Sequence, residues 1–339
     1  MGEDSVSGPA ELLSVRGAKK VFRLGGILSG TEIIAVNQIS FSLLRNTPDI
    51  FSIIGESGSG KTTLARMILR LLLPDAGTIE LNGKDVHSIR GRQAILRYMR
   101  NVQPIFQNPF ETFNPLDRVD QFLNETARNY YRGESKQQAR ERVELALNAV
   151  GLSLSEVGGR YPHELSGGQL QRASIARAII PGPSILVADE PVSMVDASLR
   201  MSIVNLFQDL KNQLGTSIIY ITHDLATAYY ISDRIAIIHK GYFVEQGDTG
   251  QILTVPRHPY TKLLVESALD PKPGGTSLAD SEAVAKGDEE YLATGCKFAA
   301  RCPHVMDLCR RKAPPPVTVE GRQVRCFLYG GNDAREGDH

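Results

Sequence analysis

The sequence predicts an α/β protein: a core of buried parallel strands, an inserted helical lobe and a small C-terminal appendage. Three observations carry this expectation. Short, unbroken apolar runs ("IFSII" from Ile50, "SILVAD" from Ser184, "SIIYIT" from Ser217, "RIAIIH" from Arg234) suit parallel strands covered on both faces. Between the first two of these, over about residues 108–180, the pattern becomes helical. Finally, all four cysteines lie at or beyond position 296 of a 339-residue chain.

A chain of this length can bury a full core and more than one lobe. Its 42% hydrophobic and 22% charged residues are those of a soluble globular protein. Lys+Arg and Asp+Glu balance at 38 each, so no net field draws the chain to nucleic acid or anionic lipid. No apolar run is long enough to span a bilayer. The opening "MGEDSVSGPAELLSV" is polar and acidic, unlike a secretory leader, so a cytosolic chain with reduced thiols is expected.

In order along the chain, "LLSVRGAKKVF", "AVNQISFSLL" and "IFSII" read as strands separated by Gly, Asn and Pro. The run "TLARMILRLLL" predicts a helix that stops at Pro74. "GTIELNGKDV" predicts strand, turn and strand, with Asn82 and Gly83 at the turn. In "QARERVELALNAVG", Val143, Ala146, Leu147 and Val150 share one helical face and Gly151 suits the C-terminal end. Residues 271–290, rich in Pro, Gly, Ser and acid, read as a linker to the cysteine segment.

The first chemical motif is "GESGSGKT", which fits G-x-x-x-x-G-K-[ST] between a predicted strand and helix. Gly55, Gly58 and Gly60 let the backbone curl, with Glu56, Ser57 and Ser59, so that N–H groups face phosphate oxygens. The following helix N-terminus, at Thr62 and Thr63, adds partial positive charge. Lys61 is expected to reach the β- and γ-phosphates of ATP, and the Thr62 hydroxyl to ligate Mg²⁺.

A second motif, "SILVADEP", puts Asp189 and Glu190 at the carboxyl end of an apolar strand, where ligands of open α/β sheets bind. Asp189 is expected to hold Mg²⁺, and Glu190 to orient and deprotonate the attacking water. The third is "ELSGGQLQRASIARAII". Ser166 and Gln169 have the spacing of a helix capping box, which accounts for both of them. It does not account for Gly167 and Gly168, each of which costs a helix about 1 kcal/mol relative to Ala. Close approach of a phosphate to the backbone would.

With these motifs in this order the chain resembles the ATP-binding subunits of ABC transporters. The resemblance implies a P-loop NTPase fold of the ABC type, with an antiparallel β subdomain and a helical subdomain inserted at about residues 108–180. It implies that Gln107 in "PIFQNP" senses the γ-phosphate, contributes to the Mg²⁺ site and contacts membrane subunits. By the same resemblance His223 in "YITHD" bonds the γ-phosphate, and Phe22 in "KKVF" stacks on adenine, unless it is a strand core residue. "SMVD", Ser193 to Asp196, takes the place of the family's D-loop and departs from its usual S-A-L-D at the middle two positions. Two such domains pair head to tail, so Ser166, Gly167, Gly168 and Gln169 are implied to serve a partner's ATP.

Beyond the ATPase core, "HPYTKLLVESALDPKP" and "GCKFAARCPHVMDLCRRKAPP" are similar to the C-terminal extension of the oligopeptide/dipeptide importer branch. This implies a nucleotide-binding domain over residues 11–250 and an extension over 251–339. The implied partners are a second homologous ATPase in a heterodimer, two membrane permeases and an extracytoplasmic solute-binding protein, with the chain on the cytoplasmic side of the inner membrane. A soluble ABC ATPase of nucleic-acid repair or translation is the alternative. The neutral charge, the lack of a basic patch with interleaved aromatics and the single cassette weigh against it.

Cys296, Cys302, Cys309 and Cys326 are spaced C-x5-C-x6-C-x16-C, which matches neither the paired clamps of zinc ribbons nor the common iron–sulfur signatures. Read by spacing alone, zinc, a cluster and free thiols all stay open. The resemblance implies a [4Fe–4S] cluster that ties down the appendage.

Overall fold

The computed structural model describes residues 10–24, 31–269 and 290–330. Most of the expected linker therefore lies outside the described residues. Two sheets organise the rest. The smaller is antiparallel and contains β1 (Glu11–Leu24), β2 (Thr31–Leu44), β4 (Ala76–Leu81) and β5 (Lys84–Asp85) in the order β2-β1-β4-β5. β1 runs through Gly17 because that residue takes a φ of 58° where the register against β2 slips. β4 and β5 join at Asn82 and Gly83, whose φ values of 52° and 73° make the two-residue hairpin that Asn-Gly predicts.

The larger sheet has eight strands: β3 (Ile50–Ile54), β6 (Val102–Ile105), β7 (Ile185–Asp189), β8 (Ser217–Thr222), β9 (Arg234–His239), β10 (Tyr242–Asp248), β11 (Val317–Val319) and β12 (Arg322–Val324). Their order is β11-β12-β10-β9-β3-β8-β7-β6. From β9 to β6 all pairs are parallel, whereas β10, β12 and β11 add antiparallel. The unbroken apolar runs are explained by burial on both faces. Ile218, Tyr220, Leu186 and Ala188 point to one core, and Ile219, Ile221, Ile185 and Val187 to the other.

The helices are α1 (Lys61–Ile68), α2 (Arg92–Asn101), α3 (Val119–Tyr130), α4 (Lys136–Ala149), α5 (Leu154–Val157), α6 (Gly167–Ile179), α7 (Ala197–Leu214), α8 (Leu225–Ile231), α9 (Thr249–Thr254), α10 (Pro259–Leu269) and α11 (Asp307–Arg311). α3 to α6 share the first core with α7 and the sheet through buried Leu123, Val143, Leu147 and Leu170. Gly151, at φ 69°, closes the end of α4 by donating to the Asn148 carbonyl, as its position predicts. One boundary differs from expectation. α1 ends at Ile68, short of Pro74, because Arg70 turns to φ 60° and its guanidinium donates to the Val86 and Ile89 carbonyls (2.8 and 2.7 Å).

The C-terminal segment is an outgrowth of the larger sheet. β12 pairs with β10, and Tyr260 and Phe298 complete a third apolar cluster with Ile54, Ile235, Ile237 and Val244. Beneath it the fully buried Glu245 accepts from the backbone of Arg257 and His258 and faces buried Arg322 at 3.5 Å. No helix among the described residues is long and apolar enough to cross a membrane.

Candidate active site

The carboxyl ends of β3, β7 and β8 deliver the predicted polar residues to one place. After β3 the chain curls through residues 55–60 into α1. A Cβ on Gly55 would lie 2.2 Å from the Ile238 carbonyl oxygen, and one on Gly60 would lie 2.1 Å from that of Ala35. Gly60 also has a φ of 105°, so this corner accepts only glycine. Ser57 and Gly58 are exposed, and the Ser59 hydroxyl is buried without a partner. α1 begins at Gly60 with no side-chain cap and no acid in its first turn, leaving its N-terminal donors and positive end available to an anion. Lys61 is buried, and its ammonium donates to the Gly55 and Glu56 carbonyls of the same loop (2.7 and 2.9 Å). Thr62 is exposed and Thr63 half-buried in the helix's first turn.

Three further predicted residues meet at one carboxylate. Glu190 accepts from the Gln107 amide (3.1 Å) on one oxygen and faces His223 Nδ1 (3.2 Å) on the other. Glu190 itself is held at a φ of 47°, unusual for a non-glycine residue. The strain is contained by its N–H donating to the Ile221 carbonyl and by Ser193 donating from N–H and hydroxyl to its own carbonyl (3.2 and 2.9 Å). The side chain of His223 is 61% exposed against 19% for Glu190, so a ligand can reach the imidazole while the carboxylate stays sheltered. Gln107 is brought to Glu190 through its amide nitrogen.

Electrostatics here favour added positive charge. Burial raises the Asp189 carboxyl, the Thr62 hydroxyl beside it offsets part of this, and the charge of Glu190 raises it further. One Asp189 oxygen is buried with no hydrogen-bond partner. Lys61 is lowered by burial despite the opposing pull of Glu190, Asp189 and Glu56. With Glu56 paired to Arg301, Asp189 and Glu190 remain beside the Lys61 ammonium. An orphaned carboxylate oxygen next to a hydroxyl is a donor set that fits Mg²⁺, which brings the missing charge with it.

The remaining predicted residues lie elsewhere. Ser166 and Gln169 form a complete capping box at the start of α6, and Ser166 and Gly167 are exposed. Gly168 lies under Leu199, whose methyl a Cβ would meet at 2.8 Å. Asp196 precedes α7 and is exposed; of the two unusual residues before it, Met194 is exposed and Val195 buried. Phe22 is 38% exposed on β1 with the Lys20 ammonium 5.9 Å from its ring centroid, so the strand-core alternative does not hold.

The four cysteines are free thiols that line one cavity with His258, Phe298 and Pro314. Burial and the neighbouring sulfurs push Cys296 up to about 12 and Cys326 up to about 11. Among the described residues, no group of three or more His, Cys, Asp or Glu is close enough to hold a metal ion. This geometry supports neither the zinc site left open by the spacing nor the [4Fe–4S] cluster implied by the resemblance.

Sequence reasoning missed the neighbours that the extension contributes to the phosphate loop. Arg301 pairs with Glu56 at 3.0 Å, Tyr291 donates to the Gly58 carbonyl, and the Tyr260 hydroxyl accepts from the Glu56 N–H (3.3 Å). Arg301 and Glu56 are 245 residues apart, and no local pattern signals the pairing.

Comparison with known proteins agrees with this geometry. Residues 36–193 match the ABC transporter family and residues 244–309 the oligopeptide/dipeptide transporter C-terminal region. A putative peptide import ATP-binding protein of Brucella ovis is 37% identical over 306 residues, covering 89% of this chain and 93% of that protein. A probable peptide ABC transporter ATP-binding protein of Sinorhizobium fredii is 36% identical over 298 residues, covering 87% and 82%. Among solved structures, the dimeric ATP-binding cassette MJ0796 bound to ADP and Pi aligns with a TM-score of 0.62 at 24% identity, over 70% of this chain and 98% of that one. The cbiO1 protein of Clostridium perfringens, part of the cbiONQ ABC transporter complex, also aligns at 0.62, with 25% identity over 73% and 92%. The chain belongs to the ATP-hydrolysing, ATP-binding subunits of ABC transporters, in the branch that carries the oligopeptide/dipeptide-type C-terminal region.

Proposed function

We propose that this subunit powers import of oligopeptides, dipeptides or a related solute from the cytoplasmic face of the cell membrane. The observation that carries the reading is the junction of Gln107, Glu190 and His223, beside Lys61 and Asp189, in a chain that also has the importer-type extension. Residues 11–250 form the nucleotide-binding domain and residues 251–339 the extension.

In this reading the residues of the phosphate loop, with Thr62 and Thr63, take up the ATP phosphates, and Phe22 stacks on adenine. Lys61 and His223 stabilise charge on the γ-phosphate. Thr62 and Asp189 hold Mg²⁺, with Gln107 turning to it. Held there, it would supply positive charge against the phosphates. Glu190 accepts a proton from the attacking water, a role that suits a sheltered carboxylate already oriented by two neighbours. Ser166, Gly167, Gly168, Gln169 and Asp196 meet the ATP of a second, homologous ATPase subunit. Two permeases and an extracytoplasmic binding protein complete the assembly.

The cysteines are assigned to a [4Fe–4S] cluster with a structural role. This assignment follows from the resemblance to the importer branch, and the four cysteines line one cavity. Iron, acid-labile sulfide and zinc analysis after anaerobic purification decides this point.

Reconstitution tests the function. ATP turnover should rise when the chain is assembled with its partner permeases and their loaded binding protein. Turnover indifferent to the permeases, together with salt-dependent DNA binding, overturns the importer reading.

A further inference from the structure

The phosphate loop is held from outside the cassette. Arg301, next to Cys302, donates from Nη1 and Nη2 to the two carboxylate oxygens of Glu56 (3.0 and 3.3 Å). Its Nε and Nη2 clamp Glu290 on the other side (2.7 and 3.3 Å). Glu290 is itself buried near His239 and Lys240 at the end of β9 (3.6 and 3.9 Å). Farther along the loop, the Tyr291 hydroxyl donates to the Gly58 carbonyl.

The geometry points to Arg301 as a positioning residue for the ATP site, one that neutralises Glu56 and, with Tyr291, fixes the first half of the phosphate loop from the cysteine-bearing extension. The inference rests on residues 55–62 taking the nucleotide's phosphates. A carboxylate in a loop that receives a multiply charged anion repels it unless the carboxylate is paired. A two-pronged guanidinium contact removes that charge and also fixes geometry, which a lysine does less well.

The position of Arg301 is in turn set by the cysteine turn. Its N–H donates to the Phe298 carbonyl (3.1 Å), the Ala299 N–H donates to that of Cys296 (3.0 Å), and the guanidinium lies over the Phe298 ring (5.2 Å). Arg301 is only one-fifth exposed, so it is not a freely swinging surface side chain. Whatever orders the segment between Cys296 and Cys302 therefore orders the phosphate loop.

Binding of a fluorescent ATP analogue to the full chain tests this. Arg301→Ala should weaken binding about tenfold, about 1.4 kcal/mol, with the loss in KM rather than in kcat. Arg301→Lys should recover part of it, and Tyr291→Phe should cost about threefold. The decisive arm is Glu56→Gln: in that background Arg301→Ala should cost less than twofold, since the carboxylate within the phosphate loop is gone and Glu290, which Arg301 also holds, lies outside that loop. Equal losses in both backgrounds, or no loss from Arg301→Ala and Tyr291→Phe alike, overturn the inference. Failure of the underlying reading looks different, because Lys61→Ala would then bind nucleotide as the parent chain does. If Arg301→Ala does not fold, Arg301→Lys and Tyr291→Phe, measured with and without Glu56→Gln, carry the same comparison.

Discussion

The two helix N-termini to which the proposed function gives phosphate contacts are finished differently. α1 starts at Gly60, at φ 105°, with no side chain capping it, and every loop residue before it belongs to the same chain. α6 starts at Ser166 with a complete reciprocal capping box and an exposed first turn. The open end needs a ligand to satisfy its donors. The capped end has satisfied two of its own and is stable without one, which suits the proposed contact with a partner subunit's ATP. A third helix, α10, is capped by a buried imidazole: His258 Nδ1 accepts from the Tyr260 N–H (3.0 Å). These three ends, one open and two capped, differ in what would disturb them.

The largest effects belong to the open end. Glu190→Gln should lower ATP turnover by at least about 100-fold, because it removes the proton acceptor while keeping the contacts to Gln107 and His223 nearly isosteric. A steady-state ATPase assay reads this, and turnover near that of the parent chain removes Glu190 from the role. Gly60→Ala should be nearly as damaging to nucleotide binding. Both glycines have a positive φ, but a Cβ on Gly60 would also collide with the Ala35 carbonyl, whereas one on Gly58 meets nothing within 4 Å. Similar melting temperatures for the two alanine variants would show that the loop's corner is less rigid than its contacts imply.

The imidazole cap makes an intermediate prediction, with a sign. Burial lowers His258 from its ordinary 6.5 to about 3, and His239, packed on the same side of the sheet, is lowered too. Between those two values the unfolded chain binds the proton and the folded chain does not. The contribution of His258 is thus fully present above about pH 6.5 and declines as pH falls toward 3, by about 1.4 kcal/mol per pH unit, and His239 acts in the same direction. Chemical denaturation at pH 7.5 and 5 measures the slope, and His258→Asn, which retains an acceptor for Tyr260, should flatten it. An unchanged slope assigns the acid sensitivity to other groups.

The smallest effect belongs to the capped end. Ser166→Ala should cost about 1 kcal/mol of stability and leave nucleotide binding by the isolated subunit unaltered. A loss of ATP affinity in the isolated subunit would mean that α6 serves its own chain's nucleotide.

Legibility in the sequence followed sequence distance. The phosphate loop and the apolar strands could be read directly, because a curled loop and a doubly covered strand are each written in consecutive residues. The Asn82–Gly83 hairpin and the Gly151 end of α4 could be read for the same reason. The early end of α1 could not. It depends on Arg70 finding the carbonyls of Val86 and Ile89, far along the chain. Nor did any motif announce the left-handed backbone of Glu190, which the Ile221 carbonyl on the neighbouring strand helps to hold.

By itself, then, the sequence determined the fold class, the phosphate loop, the order of the motifs and the branch to which the extension belongs. All of these rest on local spacing and on runs of like residues. Only the tertiary structure decided that Gln107 and His223 share the Glu190 carboxylate, that the cysteines line one cavity, and that Arg301 reaches Glu56. Those pairings join side chains from different strand ends and from the far end of the chain. Sheltering a carboxylate costs free energy that these pairings offset, and the partners are supplied by distant parts of the chain.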